Sequence, residues 1–553
     1  MRAVHLVPAG VVLLVLAAIG GAAQLDRPAA STSPVVTVTR QVPVTSVTRA
    51  CPPALASDSG TIALIAGSAG SALASSVSST ASPTATASPT ATASPTATAS
   101  PTATASPTAT ASATPTAPPQ GATTGQAELT PLPPAQLQLR PVTPVSAKGA
   151  GVPWILTVPA AASAAKKGAS APTGWSVTAA GPMAQAMEAE VAETSGLATV
   201  RCGEPGSDLW FVGPGQQNGA AQLQLDLMNV DSLAATVDVS LITDAGPVQG
   251  GNLTGITVPP HQTVTEALSS ATPKSSVVAI GVHTSAGRVA ADVAAGSSHG
   301  HLTNWLSSAA APATQLVIPG VPPSGSAAGL FLVVPGAANA KVNVVAITPQ
   351  GHYHPFGAQP IELPGESASY VALTPLGGTA AALQVTANVP VAASVLVPGS
   401  GVGALTTATG PVSEQAVIAG NTSGSGLAVS VVLSAPAAAV RVRLTEIGSA
   451  STSPASTSPA STSPADASPA DASQVLTVRA GHTLMAPVSP PPGAKHGTAF
   501  AIVITPLAGS GPLYAARVET QDQSTVVSIL PAVSALTTIS LPPVRDSYDA
   551  ISP

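Results

Sequence analysis

Two His-x-His pairs, His299 with His301 and His352 with His354, are the first residues whose spacing suggests chemistry. Residues two apart on a strand share a face, so each pair could offer two imidazoles to a metal ion. No Asp, Glu or Cys is grouped with either pair, and the two pairs occupy non-equivalent loops. Solvated loop histidines are therefore expected, and no metal site is assigned. The stretch GSSHG, from Gly296 to Gly300, matches G-x-S-x-G with Ser298 at the nucleophile position. That pattern carries meaning only on the strand-to-helix turn of an α/β sheet, whereas here it enters a Ser/Gly-rich connection. A hydrolase using Ser298 or a histidine pair is accordingly the third of three functional readings. No phosphate loop, dinucleotide fingerprint, HExxH or calcium loop occurs, so no catalytic or cofactor-binding residue and no cofactor is assigned. Four tryptophans, Trp154, Trp175, Trp210 and Trp305, could stack on sugars. Packing in cores or at domain junctions is the expectation for tryptophans at strand ends.

The elements that must position these residues follow from composition. The chain has 553 residues, 8% charged and 2% aromatic, with 49 Gly, 57 Pro and a net charge of −6. Such a balance provides no basic footprint for nucleic acid. Its apolar residues are mostly Ala and Val, and Gly/Pro turns are dense, which favours many short strands over long helices. The N-terminus pairs Arg2 with an almost wholly apolar run, Leu6 to Ile19, and then the small residues Gly21, Ala22 and Ala23. Residues 1–24 read as a signal peptide or as a retained signal anchor, since Val4 to Ala23 is long enough to span a bilayer. Either way the remainder is exported, secreted or held at the plasma membrane.

An internal repeat organises the rest. Similar blocks begin at Gly287 (GRVAADVAAG), Val389 (VPVAASVLVPG) and Gly511 (GPLYAARVETQ), each after an apolar run, and each reads as the turn and second arm of a hairpin. Upstream lie alternating-valine segments at Ala235, Ala340 and Ala439, the period of a half-buried strand. Opening segments place Val212, Ile318 and Ile418 in equivalent positions, 106 and 100 residues apart. An earlier copy follows by analogy. Gly181 matches Gly287, the segment at Ile155 matches that at Gly255, Thr61 matches Ala328, and Ala135 begins the alternating strand. About seven strands per copy predict an all-β chain of about four tandem immunoglobulin-like β-sandwich domains. They cover 35–195, 205–310, 312–410 and 412–540. Ala-rich cores bury little apolar area, so modest stability per domain is expected, aided by neighbour packing.

Two low-complexity arrays interrupt the repeat. PTATAS occurs five times from Pro83 to Ser112, and STSPA-type repeats run from Ser451 to Ser473. Repeat spacing assigns them to insertions at 66–125 and 449–473, within the first and fourth domains. Ser/Thr/Pro/Ala tracts cannot offset the entropy of ordering, so disorder is expected, and such tracts are frequent O-glycosylation acceptors on exported proteins. Cys51 and Cys202 are the two cysteines. Outside the cell they are expected to form a disulfide. Cys51 ends the first strand of the first domain and Cys202 lies just past its last, and those strands would run side by side in the same direction.

The blocks GWSVTAAGPMAQAM, LATVRCGEPGSDLWFVGPG, GPVQGGNLTGITVPPHQTV, GRVAADV, GPLYAARV and LPPVRDSYDA resemble an actinobacterial family of secreted or membrane-anchored proteins classed as a domain of unknown function. The resemblance runs from about Val42 to Ala550. It implies location, and no catalytic residues. The expected function is a non-enzymatic cell-envelope protein with a structural, adhesive or scaffold role. The alternative is a carbohydrate-binding accessory of envelope glycan assembly. Envelope proteins or glycans are the expected partners, with no nucleic acid, and membrane contact only through an uncleaved N-terminal helix.

Overall fold

The computed structural model describes residues 40–541, apart from 56–58, 68–125, 136–144, 148–150, 160–172, 194–197, 250–252, 273, 298–301, 324–326, 359, 375, 377, 400–401, 423–425, 449–471, 493, 495–497 and 523–524. The N-terminal apolar segment and both low-complexity arrays lie outside the described residues. Among the described residues there is no α-helix, and no helix long and apolar enough to cross a membrane. The chain divides into two compact units, 1–42 with 539–553, and 43–538.

After β1 (Arg40–Pro43), a first pair of facing sheets is built from β2 (Ser46–Cys51), β3 (Ser59–Ile65), β4 (Gln126–Leu132), β5 (Val145–Ala147), β6 (Trp154–Pro159), β7 (Gly174–Ala180), β8 (Glu188–Glu193) and β9 (Thr199–Arg201). A second contains β10 (Asp208–Pro214), β11 (Gln222–Asn229), β12 (Ala235–Thr243), β13 (Gly246–Pro247), β14 (Ile256–Val258), β15 (Gln262–Ala267), β16 (Val277–Ala286), β17 (Ala290–Gly296) and β18 (Leu302–Leu306). The third uses β19 (Ala313–Val321), β20 (Ala328–Val334), β21 (Ala340–Thr348), β22 (Gly351–Tyr353), β23 (Ile361–Leu363), β24 (Ser367–Leu373), β25 (Ala381–Val397) and β26 (Ala404–Thr407). The fourth uses β27 (Ala416–Thr422), β28 (Leu427–Ala435), β29 (Val440–Gly448), β30 (Ala472–Val478), β31 (His482–Val488), β32 (Ala499–Pro506), β33 (Tyr514–Gln521) and β34 (Thr525–Pro531). Finally β35 (Thr538–Leu541) pairs with β1 in a separate two-stranded sheet.

One antiparallel plan recurs four times. In the first sandwich the sheets run β2-β7-β4-β5 and β6-β3-β8-β9, and in the fourth they run β27-β32-β29-β30 and β31-β28-β33-β34. The second follows the same order, with β13 and β14 sharing the outer place beside β12. In the third, β25 runs continuously from one sheet into the other and fuses them into one eight-stranded sheet. The alternating valines explain the cores. Val237, Val239 and Leu241, Val342, Val344 and Ala346, and Val440, Val442 and Leu444 all point inward, and the residues between them, polar except Val345, are turned away.

Several expectations need correction. Among the described residues each sandwich has eight strand positions, not about seven. The paired runs around Gly181, Gly287 and Gly511 are not hairpins. Their arms pair in opposite sheets: β16 joins β10 and β12, while β17 joins β11 and β18. Period-2 alternation sets which face is buried but leaves the pairing partner open. The third strand of the first sandwich is Gln126–Leu132, before Ala135; it also alternates, and pairs with β7. The strand at Ile155 pairs with β3, matching β15, so its likeness to the segment at Gly255 is displaced by one strand. The first sandwich also extends past 195, because Thr199–Arg201 pairs with β8.

The four sandwiches close into a ring. Phe331, Val333 and Ala392 of the third join the core of the second. Val432, Ala516 and Ile529 of the fourth join the core of the third. Trp305 and Ala294 of the second join the core of the first. Ala63, Ile65 and Ala186 of the first pack on Val417, Ala419, Ala501 and Val503 of the fourth. Each interface sets the seventh strand of one sandwich against the first strand of the preceding one, and β8 against β27 closes the circle.

Candidate functional site at the ring axis

The eighth strands β9, β18, β26 and β34 meet one another around the ring. The segments that leave them surround a cavity of about 230 Å³. Its lining includes Cys202, Gly203 and Glu204 after β9, Ser307 and Ser308 after β18, Thr409 after β26, and Val533 and Ser534 after β34. All four repeats therefore contribute equivalent segments, and Arg49, Arg201 and Asp292 add charge-bearing groups.

Cys51 and Cys202 stand at its edge, joined by a 2.01 Å S–S bond with their Cα atoms 4.2 Å apart. They do not meet through parallel neighbouring strands. β2 and β9 belong to different sheets, and the contact is an antiparallel bridge between Ala50 and Gly203 just beyond β9. Ala50 N–H donates to Gly203 O at 2.9 Å and Gly203 N–H to Ala50 O at 2.7 Å. The corresponding bridges Trp210–Ala309, Val317–Thr409 and Ala416–Ser534 occur in the other sandwiches. Every first strand is thus sealed to the exit of its own eighth strand.

Two arginines sit at this seam with a fully buried Glu188 between them. Arg49 Nη2 is 3.1 Å from Glu188 Oε1, Arg201 Nη1 is 2.7 Å from Glu188 Oε2, and Arg49 Nη1 reaches Glu204 at 2.9 Å. Burial works against the Arg49 charge, but Glu188 and Glu204 outweigh it and hold the guanidinium above its ordinary value. Arg201 also donates to the carbonyls of Val417 and Pro531, tying the first sandwich to the fourth. Near the same interface, fully buried Arg517 donates to Gly420 O at 2.8 Å, to Ser528 Oγ at 3.1 Å and to Thr199 Oγ1. Burial raises the carboxyl of Glu519, 3.5 Å from Arg517, despite that cation.

One position on each seventh strand faces the preceding sandwich. Glu190 lies opposite Arg201, Ser394 opposite Thr407 and Ala516 opposite Pro531, while Asp292 immediately precedes Val293, the partner of Leu306. Glu190 accepts from Ala419 N–H at 2.8 Å and Gly420 N–H at 3.2 Å; burial still raises its pKa. The Ser394 hydroxyl donates to Val212 O at 2.7 Å. Ala516 meets Gly320, where a side chain could not fit: a Cβ there would lie 2.4 Å from that of Ala516, and φ is +83°. Asp292, only 3% exposed, is the exception, with an Oδ2 that has no hydrogen-bond partner. Across the sheet it faces Asp226, also buried. Burial pushes Asp226 up to about 6, against hydrogen bonds from Thr265 and Gln224. Burial, then the Asp226 charge, pushes Asp292 well above the usual carboxylate range. Both carboxyls therefore hold their protons more tightly than an ordinary aspartate does.

The residues singled out by sequence lie elsewhere. Ser298, His299 and His301 fall outside the described residues. His352 and His354 are exposed at β22, and the His354 ring contacts Val344 O at 3.1 Å. No group of three or more His, Cys, Asp or Glu among the described residues is placed to hold a metal ion. Trp175 and Trp305 pack in the first core. Glu190, Asp292 and Arg517 escaped sequence reading, although the repeat marks Asp292 and Ser394 as a polar place within otherwise apolar seventh strands.

Nothing among curated proteins and nothing among solved structures matches the chain. The model of one protein family matches residues 158–460, from the end of β6 into the second low-complexity array, a narrower stretch than the resemblance suggests. That stretch includes Arg201, Cys202, Glu204, Asp292, Ser307, Ser308 and Thr409 of the cavity, and on this match the chain belongs to the family of unknown function DUF5719.

Proposed function

We propose that this protein is a non-enzymatic, exported component of the cell envelope, whose immunoglobulin-like modules act together as a rigid scaffold for envelope proteins or glycans. The observation that carries this reading is the closed ring: four similar sandwiches held by buried apolar seams and by hydrogen bonds such as Glu190 to Ala419 and Ser394 to Val212. Closure leaves each outer loop fixed relative to the others, which suits a protein that arranges partners. Export is supported by the buried Cys51–Cys202 disulfide, since such bonds persist in oxidising compartments. Asp226 is fully enclosed and is not among the residues lining the cavity, so the carboxyl pair does not present two acids to a substrate.

The test is capture from solubilised envelope with the full chain as bait, alongside retention on isolated wall polymers. A stoichiometric envelope protein partner supports the scaffold. Retention by a wall polymer alone favours the glycan-accessory reading, and neither outcome would abandon both.

A further inference from the structure

The four seams of the ring are not built alike. The chain itself joins the first sandwich to the second through 202–207, the second to the third through 307–312 and the third to the fourth through 408–415. At each of those joints the neighbouring sandwich contributes residues to one continuous core. The seam between the fourth and first sandwiches lies between the two ends of this row, so no peptide link crosses it. Its apolar residues form a cluster apart from the cores of both. Small side chains fill much of that cluster, Ala63, Ala186, Ala419, Ala501 and Ala535 among them, and they bury little area. Charged groups supply much of the remaining contact. Glu190 accepts from the amides of Ala419 and Gly420, Arg201 donates to the carbonyls of Val417 and Pro531, and Arg517 donates to Thr199. Burying charged groups costs hydration, and separation of this seam gives that hydration back, which no apolar seam recovers.

We propose that this seam is a clasp at which the ring opens without unfolding any sandwich, and that residues 535–538 are its latch. After β34 the chain crosses from the fourth sandwich to the first. Ala535 N–H still donates to Gln415 O, in the segment leading into β27, at 2.8 Å. Leu536 O then accepts from Ala186 N–H at 3.0 Å and Thr537 O from Val44 N–H at 2.9 Å, both on the first sandwich. Glu414 ties the same stretch back to the fourth. Its carboxylate accepts from Thr537 N–H at 2.9 Å, from the Thr537 hydroxyl, and from the Thr538 hydroxyl at 2.7 Å. Beyond Ala535 the latch grips the first sandwich through backbone bonds more than through burial, since the Leu536 side chain is 45% exposed. Sub-global openings draw on the least stable contacts and cost less than global unfolding, so a clasp of this kind leaves the melting of the whole ring cooperative. The inference rests on closure of the ring and not on its role as a scaffold. A partner can be captured by a ring that never opens, and a clasp can open in a ring that captures nothing.

The test is hydrogen–deuterium exchange of the full chain in native buffer, read by mass spectrometry. The amides of Val44, Ala186, Ala419 and Gly420 bond across the clasp. The amide of Thr263, which donates to Pro133 O, bonds across the seam between the first and second sandwiches, and the β11–β17 ladder reports global unfolding. Peptides holding the four clasp amides are expected to exchange as one group, ahead of those holding Thr263 and the ladder. Glu414→Ala removes the carboxylate that holds the latch. It is expected to speed exchange at all four clasp amides by roughly tenfold or more, the equivalent of one lost hydrogen bond to a charged group, while Thr263 and the ladder keep their rates. Those unchanged rates also show that the variant is folded. Exchange of the clasp amides in the unaltered chain only together with Thr263 and the ladder overturns the clasp. Faster exchange in the variant confined to Val44, with Ala419 and Gly420 unmoved, overturns the latch.

Discussion

At the scale of single residues, the Asp226–Asp292 pair makes stability depend on pH. Both carboxyls titrate higher in the folded chain than their ordinary 3.8. Their folded form therefore prefers protons, so stability is greatest below about pH 4 and falls as pH rises, for Asp226 through about 6. A shift of that size corresponds to roughly 3 kcal/mol for Asp226 between the two limits. Asp292→Asn mimics the protonated carboxyl and removes the repulsion. Urea denaturation from pH 4 to pH 8 is expected to show a steady loss of stability in the unaltered chain and a shallower slope in the variant, which should be the more stable at pH 8. Equal slopes would show that this pair does not titrate with folding. No sequence rule announces the pair, because each aspartate follows an apolar neighbour in its own strand and they meet only through the pairing of β11 with β17.

At the scale of elements, strand pairs and seams set the cost of change. Arg517 on β33 ties the fourth sandwich to Thr199 on β9 and lies beside Glu519, which is 4% exposed. Arg517→Met leaves that carboxylate buried and uncompensated, and a loss of roughly 3–5 kcal/mol is expected in chemical denaturation. Adding Glu519→Gln should recover part of it, and an additive double variant would deny the coupling. Gly320 on β19 illustrates a seam limited by space. Gly320→Ala puts a methyl 2.4 Å from the Ala516 Cβ in a left-handed backbone, and should cost about 1–3 kcal/mol. A neutral result would mean that the third and fourth sandwiches separate easily.

At the scale of the molecule, ring closure predicts cooperativity. Four sandwiches on a string would melt separately, because each would share little surface with its neighbours. Here cores merge across the seams, as Phe331 does with the second sandwich and Val432 with the third. Calorimetry is expected to record one dominant transition, and resolved melting of single sandwiches would refute a ring that acts as one unit. The disulfide adds to this. Cys51 and Cys202 close a loop of 151 residues that holds the first sandwich and seals its exit toward the second. Reducing it should lower stability by about 2–5 kcal/mol in chemical denaturation, and equal midpoints with and without reductant would deny that the bond contributes.

The amino-acid sequence alone determines the strands and their repetition. Alternation at Val237, Val342 and Val442 selects extended chain with one buried face, and glycines such as Gly181 and Gly287 mark equivalent turns. Those are local properties, set by side-chain size, backbone freedom and a period of two. Only tertiary structure decides which sheet receives each arm, because a strand's pattern records burial and not its partner. It also decides that the fourth sandwich returns to the first. The seam residues Ala63, Ala419 and Ala501 are the same small apolar types as the cores, so no composition separates an interface from an interior. The cavity is legible only after closure, since Arg49, Asp292, Thr409 and Ser534 are distant along the chain and share one wall because four equivalent strand exits converge on one axis.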